Sequence, residues 1–206
     1  MREFPKPIIG LIGAIGAGKS AVAAALAKRG GVVVDADKLG HEVLELPDVK
    51  QQLADRWGSE VLKDDGTVNR RAIGSIVFQD LTERHALEAI VFPAIRKRAE
   101  EAITKLQADD RIRFVVLDAA VMLEAGWHDA CDKIVFIDAP RDIRIQRLAT
   151  RSGWTEAELA MRESAQLPLD VKRARADVVI MNAGSLEELQ NHVDRVLKSW
   201  NLLTVI

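Results

Sequence analysis

Eight residues, Gly13-Ala14-Ile15-Gly16-Ala17-Gly18-Lys19-Ser20, separate a short β-branched run, Ile8 to Ile12, from an alanine-rich helical run, Ala21 to Lys28. They fit the pattern G-x-x-x-x-G-K-[ST], in the strand–turn–helix setting that the pattern requires. Glycines reach backbone angles that turn successive N–H groups inward, forming a nest for an anion. The helix that follows adds the positive end of its dipole. Such a loop accepts the phosphates of a nucleoside triphosphate. Lys19 is expected to bridge the terminal phosphates, and the Ser20 hydroxyl to hold Mg²⁺.

Four more apolar runs follow: Val32 to Asp35, Phe114 to Asp118, Ile134 to Asp138 and Val178 to Asn182. Unbroken runs of this kind suit strands buried on both faces of a parallel sheet. The stretches between them are long enough for right-handed helical crossovers. The expected fold is therefore α/β, a three-layer P-loop NTPase core around a five-stranded parallel sheet. Four of the five runs end in Asp or Asn, namely Asp35, Asp118, Asp138 and Asn182. In open α/β sheets the ligand sits beyond the carboxyl ends of the strands, although the turn preference of Asp and Asn accounts equally well for any one of them.

Roughly 75 residues without strand pattern separate the second and third runs and read as a mainly helical insertion. The expected boundaries are a core of about 7–37, 111–140 and 176–206, an insertion of about 38–110, and a helical lid of about 141–175. Thr155-Glu156-Ala157-Glu158 and Ser185-Leu186-Glu187-Glu188 both have capping-box spacing at helix starts. After the second, Leu186, Leu189, Val193, Val196, Leu197 and Trp200 form one apolar stripe, read as core packing. A chain of 206 residues builds such a core without covalent staples, and its lone cysteine, Cys131, excludes an intramolecular disulfide.

The net charge of −2 argues against a general nucleic-acid or membrane-surface binder, and the 4% aromatic content against a stacking platform for single strands. No apolar run has the length of a signal peptide or a membrane span, so a cytoplasmic protein is expected. The charge is unevenly spread. Between Ala139 and Ala176 eight basic and five acidic residues give +3, which leaves −5 for the remainder. Arg144, Arg147 and Arg151 share one helical face, which suits either a lid closing over phosphates or a solvated surface.

The Asn-Lys-x-Asp segment by which switch proteins read guanine is absent, and the chain is short for a motor ATPase. A small-molecule kinase is the expected class. Asp35-Ala36-Asp37, at the end of the second run, supplies carboxylates that in extended chain would point to one side. One of them can accept a hydrogen bond from a substrate hydroxyl and aim it at the γ-phosphate. Phosphoryl transfer has a loose transition state, so positioning outweighs basicity. Another small-molecule kinase, of nucleoside monophosphate, shikimate or gluconate type, remains open, as does a regulatory module that binds ATP without turnover.

Taken together, the chain resembles the dephospho-coenzyme A kinases from about Ile8 to Val196. The resemblance is carried by the phosphate loop, Val34-Asp35-Ala36-Asp37, Asp65 to Arg71 with Ile76-Val77-Phe78, Phe92-Pro93-Ala94-Ile95, Asp118 to Glu124, and Arg173 to Ile180 before Asn182 and Gly184. It implies ATP-dependent phosphorylation of the ribose 3′-hydroxyl of dephospho-CoA, with MgATP as donor, and makes the insertion the CoA-binding part. By the same resemblance Asp37 faces the acceptor hydroxyl, with Arg70, Phe92 and Asp118 also on the substrate side. Gly13, Ala14, Ile15, Gly16, Ala17, Gly18, Lys19 and Ser20 bind ATP. Arg147 and Arg151 fall in the lid, Arg147 being the better placed for the ATP phosphates, and Asn182 lies near the adenine. Phe92 stands where the family often has histidine, which removes a polar contact.

Overall fold

The structure is a computed structural model and describes residues 4–203. Residues 1–3 and 204–206 lie outside the described residues. The chain divides into two compact units, one of residues 1–35 and 103–206, the other of residues 36–102.

The first unit is built on five parallel strands: β1 (Ile8–Gly13), β2 (Gly31–Asp35), β3 (Phe114–Asp118), β4 (Lys133–Asp138) and β5 (Val178–Met181). Their order across the sheet is β2-β3-β1-β4-β5. They coincide with the five apolar runs to within a residue at either end. All of β1 and β3 is buried, which is why neither shows polar alternation. Strand order reverses at β1, which lies between β3 and β4. A crevice forms at such a switch point beyond the carboxyl ends of the strands, where the glycine-rich loop begins.

Helix α1 (Lys19–Ala27) packs on one face of the sheet, against a core that includes Ile9, Leu11, Val116, Val135 and Ile180. Helices α2 (Ala36–Val43), α3 (Pro47–Trp57) and α4 (Arg70–Val77) belong to the other unit, and the division falls inside α5 (Leu81–Gln107). In the first unit α6 (Arg141–Ser152), α7 (Glu156–Glu163) and α8 (Leu169–Ala174) follow β4, and α9 (Leu186–Ser199) follows β5. Helix α9 lies in the same core as α1 through Leu189, Val193, Val196 and Leu197. Leu186 departs from the expected stripe. It is the first residue of α9 and is 62% exposed, because the buried face begins one turn later. The opposite face of β1 meets Met122 and Cys131, which lie where a side chain at Gly10 would stand.

The unit of residues 36–102 is helical apart from a 3₁₀ turn at Ser59–Val61 and an antiparallel bridge between Leu62 and Val68. Val43, Val49, Leu53, Val61, Ile73 and Val91 are buried. Glu83 accepts hydrogen bonds from Arg56 and from the Trp57 indole at 2.7 Å. Against the expected insertion of about 38–110, this compact unit starts two residues earlier and ends inside α5.

Both expected capping boxes are present, at Thr155 and at Ser185. At Ser185 the hydroxyl accepts from Glu188 N at 3.2 Å, while the Glu188 carboxylate accepts from Ser185 N at 2.7 Å. Ser185→Ala removes the first of these bonds and should lower stability by about 1 kcal/mol. Urea unfolding monitored by circular dichroism checks this, with activity expected to stay unchanged.

Candidate active site

Strand β1 ends at Gly13, where a side chain would come within 2.6 Å of the Ile137 carbonyl on β4. Ala14 N then donates to that carbonyl at 3.0 Å, and Ala17 N to Ala14 O at 3.0 Å, closing a tight turn. Gly18 completes it in the left-handed region, with φ of 91°. A side chain there would collide with the Asn182 amide as well as strain the backbone. Gly18 caps α1 with no side-chain hydrogen bond, and the first turn of α1 holds no acidic residue. Its leading N–H groups thus lack the side-chain acceptors that α7 and α9 have, which suits an anion.

The outward carbonyls of the loop are held from behind. Asn182, buried just beyond β5, donates through Nδ2 to Ala17 O at 2.8 Å. Arg147 donates to the same carbonyl at 3.3 Å. Arg144 donates to Ile15 O at 3.1 Å and to Ala139 O at 3.2 Å. A nest needs its carbonyls turned away from the anion, and buried carbonyls need donors. These three side chains meet both requirements.

Arg144 corrects the expectation of a phosphate-facing or solvated arginine face. It is only 4% exposed and pairs with Glu163 of α7, which also receives Arg141. Burial pushes the Glu163 carboxyl up, but hydrogen bonds from Arg144 and Arg141 outweigh it and hold the carboxyl below its ordinary range. Other members of the basic run are also engaged. Arg162 lies 4.0 Å over the Trp154 ring, Lys172 pairs with Glu124, and Arg173 pairs with Asp138 at the end of β4. Arg151 and Arg175 are exposed. Spacing along a helix identified the shared face but not what covers it.

Lys19, the first residue of α1, forms an ion pair with Asp118 at the end of β3. Asp118 is buried and stands in register with Leu11 of β1 and Asp35 of β2. The structure thus brings together the loop Gly13–Ser20, Asp118, Arg147 and Asn182. Asp118, read from sequence as substrate-binding, is paired with Lys19 of the glycine-rich loop. Asn182, read as near the adenine, has its amide nitrogen committed to the loop.

Asp37, Arg70 and Phe92 belong to the unit of residues 36–102. Asp37 is exposed in the first turn of α2. Helix α2 begins at Ala36, so the extended-chain alternation expected to align Asp35 with Asp37 ends at Asp35. Arg70 opens α4, capped by Asn69, whose Oδ1 accepts from Ala72 N at 3.2 Å. Phe92 is half-buried in α5. Cys131 offers no nucleophile, since burial pushes its thiol up to about 12.

Comparisons with known proteins agree with this geometry. The dephospho-CoA kinase family model matches residues 7–188. The chain is 41% identical to a dephospho-CoA kinase of Anaeromyxobacter dehalogenans, over 92% of this chain and 90% of that one. It is 37% identical to one of Geobacter sulfurreducens, over 92% and 96%. Among solved structures, TT1252 from Thermus thermophilus superposes with a TM-score of 0.81 at 36% identity, covering 94% of this chain and 97% of that one. Shikimate kinase from Acinetobacter baumannii, at 17% identity and a TM-score of 0.55 over 97% of both chains, shares the fold. A nucleotide loop at the switch point of a parallel sheet and a family match spanning nearly the whole length place the chain in the dephospho-CoA kinase family.

Proposed function

We propose that the protein transfers the γ-phosphoryl group of ATP to the ribose 3′-hydroxyl of dephospho-CoA, giving CoA and ADP. The observation that carries this reading is the Lys19–Asp118 pair at a glycine-rich loop whose outward carbonyls are already held, in a chain of this family. The inward N–H groups of the loop receive the phosphate oxygens. Lys19 exchanges Asp118 for the terminal phosphates, and Arg147, held beside the loop, adds a second positive charge. Both act where negative charge spreads during transfer.

Asp37 accepts the hydrogen bond of the attacking hydroxyl. The 3′-oxygen bonds to the γ-phosphorus, the bond to the β–γ bridging oxygen breaks, and the hydroxyl proton passes to the Asp37 carboxylate and on to solvent. Arg70 and Phe92 belong to the acceptor-binding part of the molecule, residues 141–175 to the lid, and the segment at Asn182 to the adenine side. We read the protein as a cytoplasmic enzyme acting on a small molecule, with neither nucleic acid nor membrane as partner.

The Mg²⁺ implied by the fold finds suitable donors in the Ser20 hydroxyl and the Asp118 carboxylate. No group of three or more His, Cys, Asp or Glu among the described residues forms a cage. A sparse set of hard oxygen donors suits an ion that keeps waters and phosphate oxygens. Ser20 and Asp118 would hold it, and it would supply positive charge against the phosphates of the bound nucleotide.

Purified protein supplied with MgATP should form CoA from dephospho-CoA, followed by chromatography, and leave shikimate, gluconate and nucleoside monophosphates unchanged. Turnover of one of those acceptors in place of dephospho-CoA would refute the assignment. Asp37→Asn should lower kcat by about 100-fold or more with ATP binding retained in calorimetric titration; an unaltered kcat would remove Asp37 from the mechanism. Lys19→Ala should weaken ATP binding and turnover together.

A further inference from the structure

Among the described residues four polar or charged side chains are buried: Asp118, Arg144, Asn182 and Lys172. The first three belong to the phosphate loop and its supports. Lys172 is the most deeply buried of them, at 0% exposure, and the phosphoryl transfer described above does not use it.

An ammonium group carries three N–H donors, and all three of Lys172 are used. They reach Glu124 Oε1 at 3.0 Å, Gln166 Oε1 at 2.9 Å and Ala120 O at 3.2 Å. Glu124 Oε1 also accepts from Leu167 N at 2.9 Å. Ala120 lies two residues beyond Asp118, and Glu124 follows in the same turn. Gln166 and Leu167 lie in the link between α7 and α8, where the segment 141–175 returns toward the sheet. One nitrogen therefore joins the strand end that carries Asp118 to the base of that segment.

Stability alone is a poor reason for this arrangement. Burying an ion pair carries a desolvation penalty, and an apolar pair of similar volume is often as stable or more so. Glu124 Oε2 adds to the penalty, being buried with no hydrogen-bond partner. What an apolar residue does not provide is a directional hold on the Ala120 carbonyl, Glu124 and Gln166 together.

We propose that Lys172 is a positioning residue for phosphoryl transfer: through Ala120, Glu124 and Gln166 it fixes the Asp118-bearing strand end in one arrangement with the base of the 141–175 segment. The proposal rests on reading the Lys19–Asp118 site as the ATP site. A misplacement near 1 Å at such a site is enough to depress turnover strongly.

Three variants of the full-length protein test it. Lys172→Met leaves Glu124 buried and uncompensated, and should lower both the urea midpoint and kcat. Lys172→Met combined with Glu124→Gln removes both charges while keeping an acceptor for Leu167 N. It should recover most of the lost midpoint, yet keep kcat depressed by about tenfold or more. In that double variant ATP binding by titration should weaken at least about threefold, with the KM for dephospho-CoA within about twofold. Gln166→Ala, which removes one half-buried partner, should fold normally and lower kcat in the same direction.

If the double variant regains kcat and ATP affinity along with its midpoint, Lys172 is merely structural and the proposal is overturned. If the double variant does not fold, Gln166→Ala decides, and parental kcat and ATP affinity there overturn the proposal. If the parent forms no CoA from dephospho-CoA, the acceptor assignment fails on its own. The ATP affinities of the variants then decide the role of Lys172, and parental values reject it.

Discussion

A loop that binds anions through its backbone must point its N–H groups one way and its carbonyls the other, and the carbonyls then need partners. In this chain Ile15 O and Ala17 O are the carbonyls in question, and Arg144, Arg147 and Asn182 supply the donors. The rest of the first unit can be understood as the means of delivering those three side chains. Strands β4 and β5 lie beside β1 on the side away from β3, so the segments leaving their carboxyl ends pass behind the loop. Gly18 in turn has no side chain because the Asn182 amide occupies that space.

The same constraint explains how a chain with net charge −2 serves a polyanion. Backbone dipoles and a helix N-terminus hold phosphate without a large excess of lysine and arginine. Four of the eight basic residues in the segment 141–175 pair with carboxylates. Arg141 and Arg144 meet Glu163, Lys172 meets Glu124, and Arg173 meets Asp138. Half of that segment's positive charge thus forms internal struts, and Arg144 and Arg147 are the members laid directly against the loop.

Much of this is legible in the sequence. The five apolar runs became five parallel strands, because strands buried on both faces carry no alternation to obscure them. The loop and its helix were legible because the chemistry demands glycine, lysine and serine at fixed offsets. Both capping boxes were legible because Thr155 and Ser185 lie three residues from their glutamates. Where a reading relied on local geometry continuing, it failed. Leu186 sits before the buried face of α9 begins, and Asp37 sits in a helix rather than in extended chain.

Local spacing therefore settled the class of fold and the position of the glycine-rich loop at the end of β1, since both depend on residues adjacent in sequence. The partners of charged side chains depended on the folded chain, since burial and pairing are set by residues far apart in sequence. Arg144 and Ile15 are separated by 129 positions, and Lys172 and Ala120 by 52. No pattern of charge along a helix distinguishes an arginine facing water from one holding a loop carbonyl. Strand order across the sheet makes that distinction, by choosing which segments pass behind the loop.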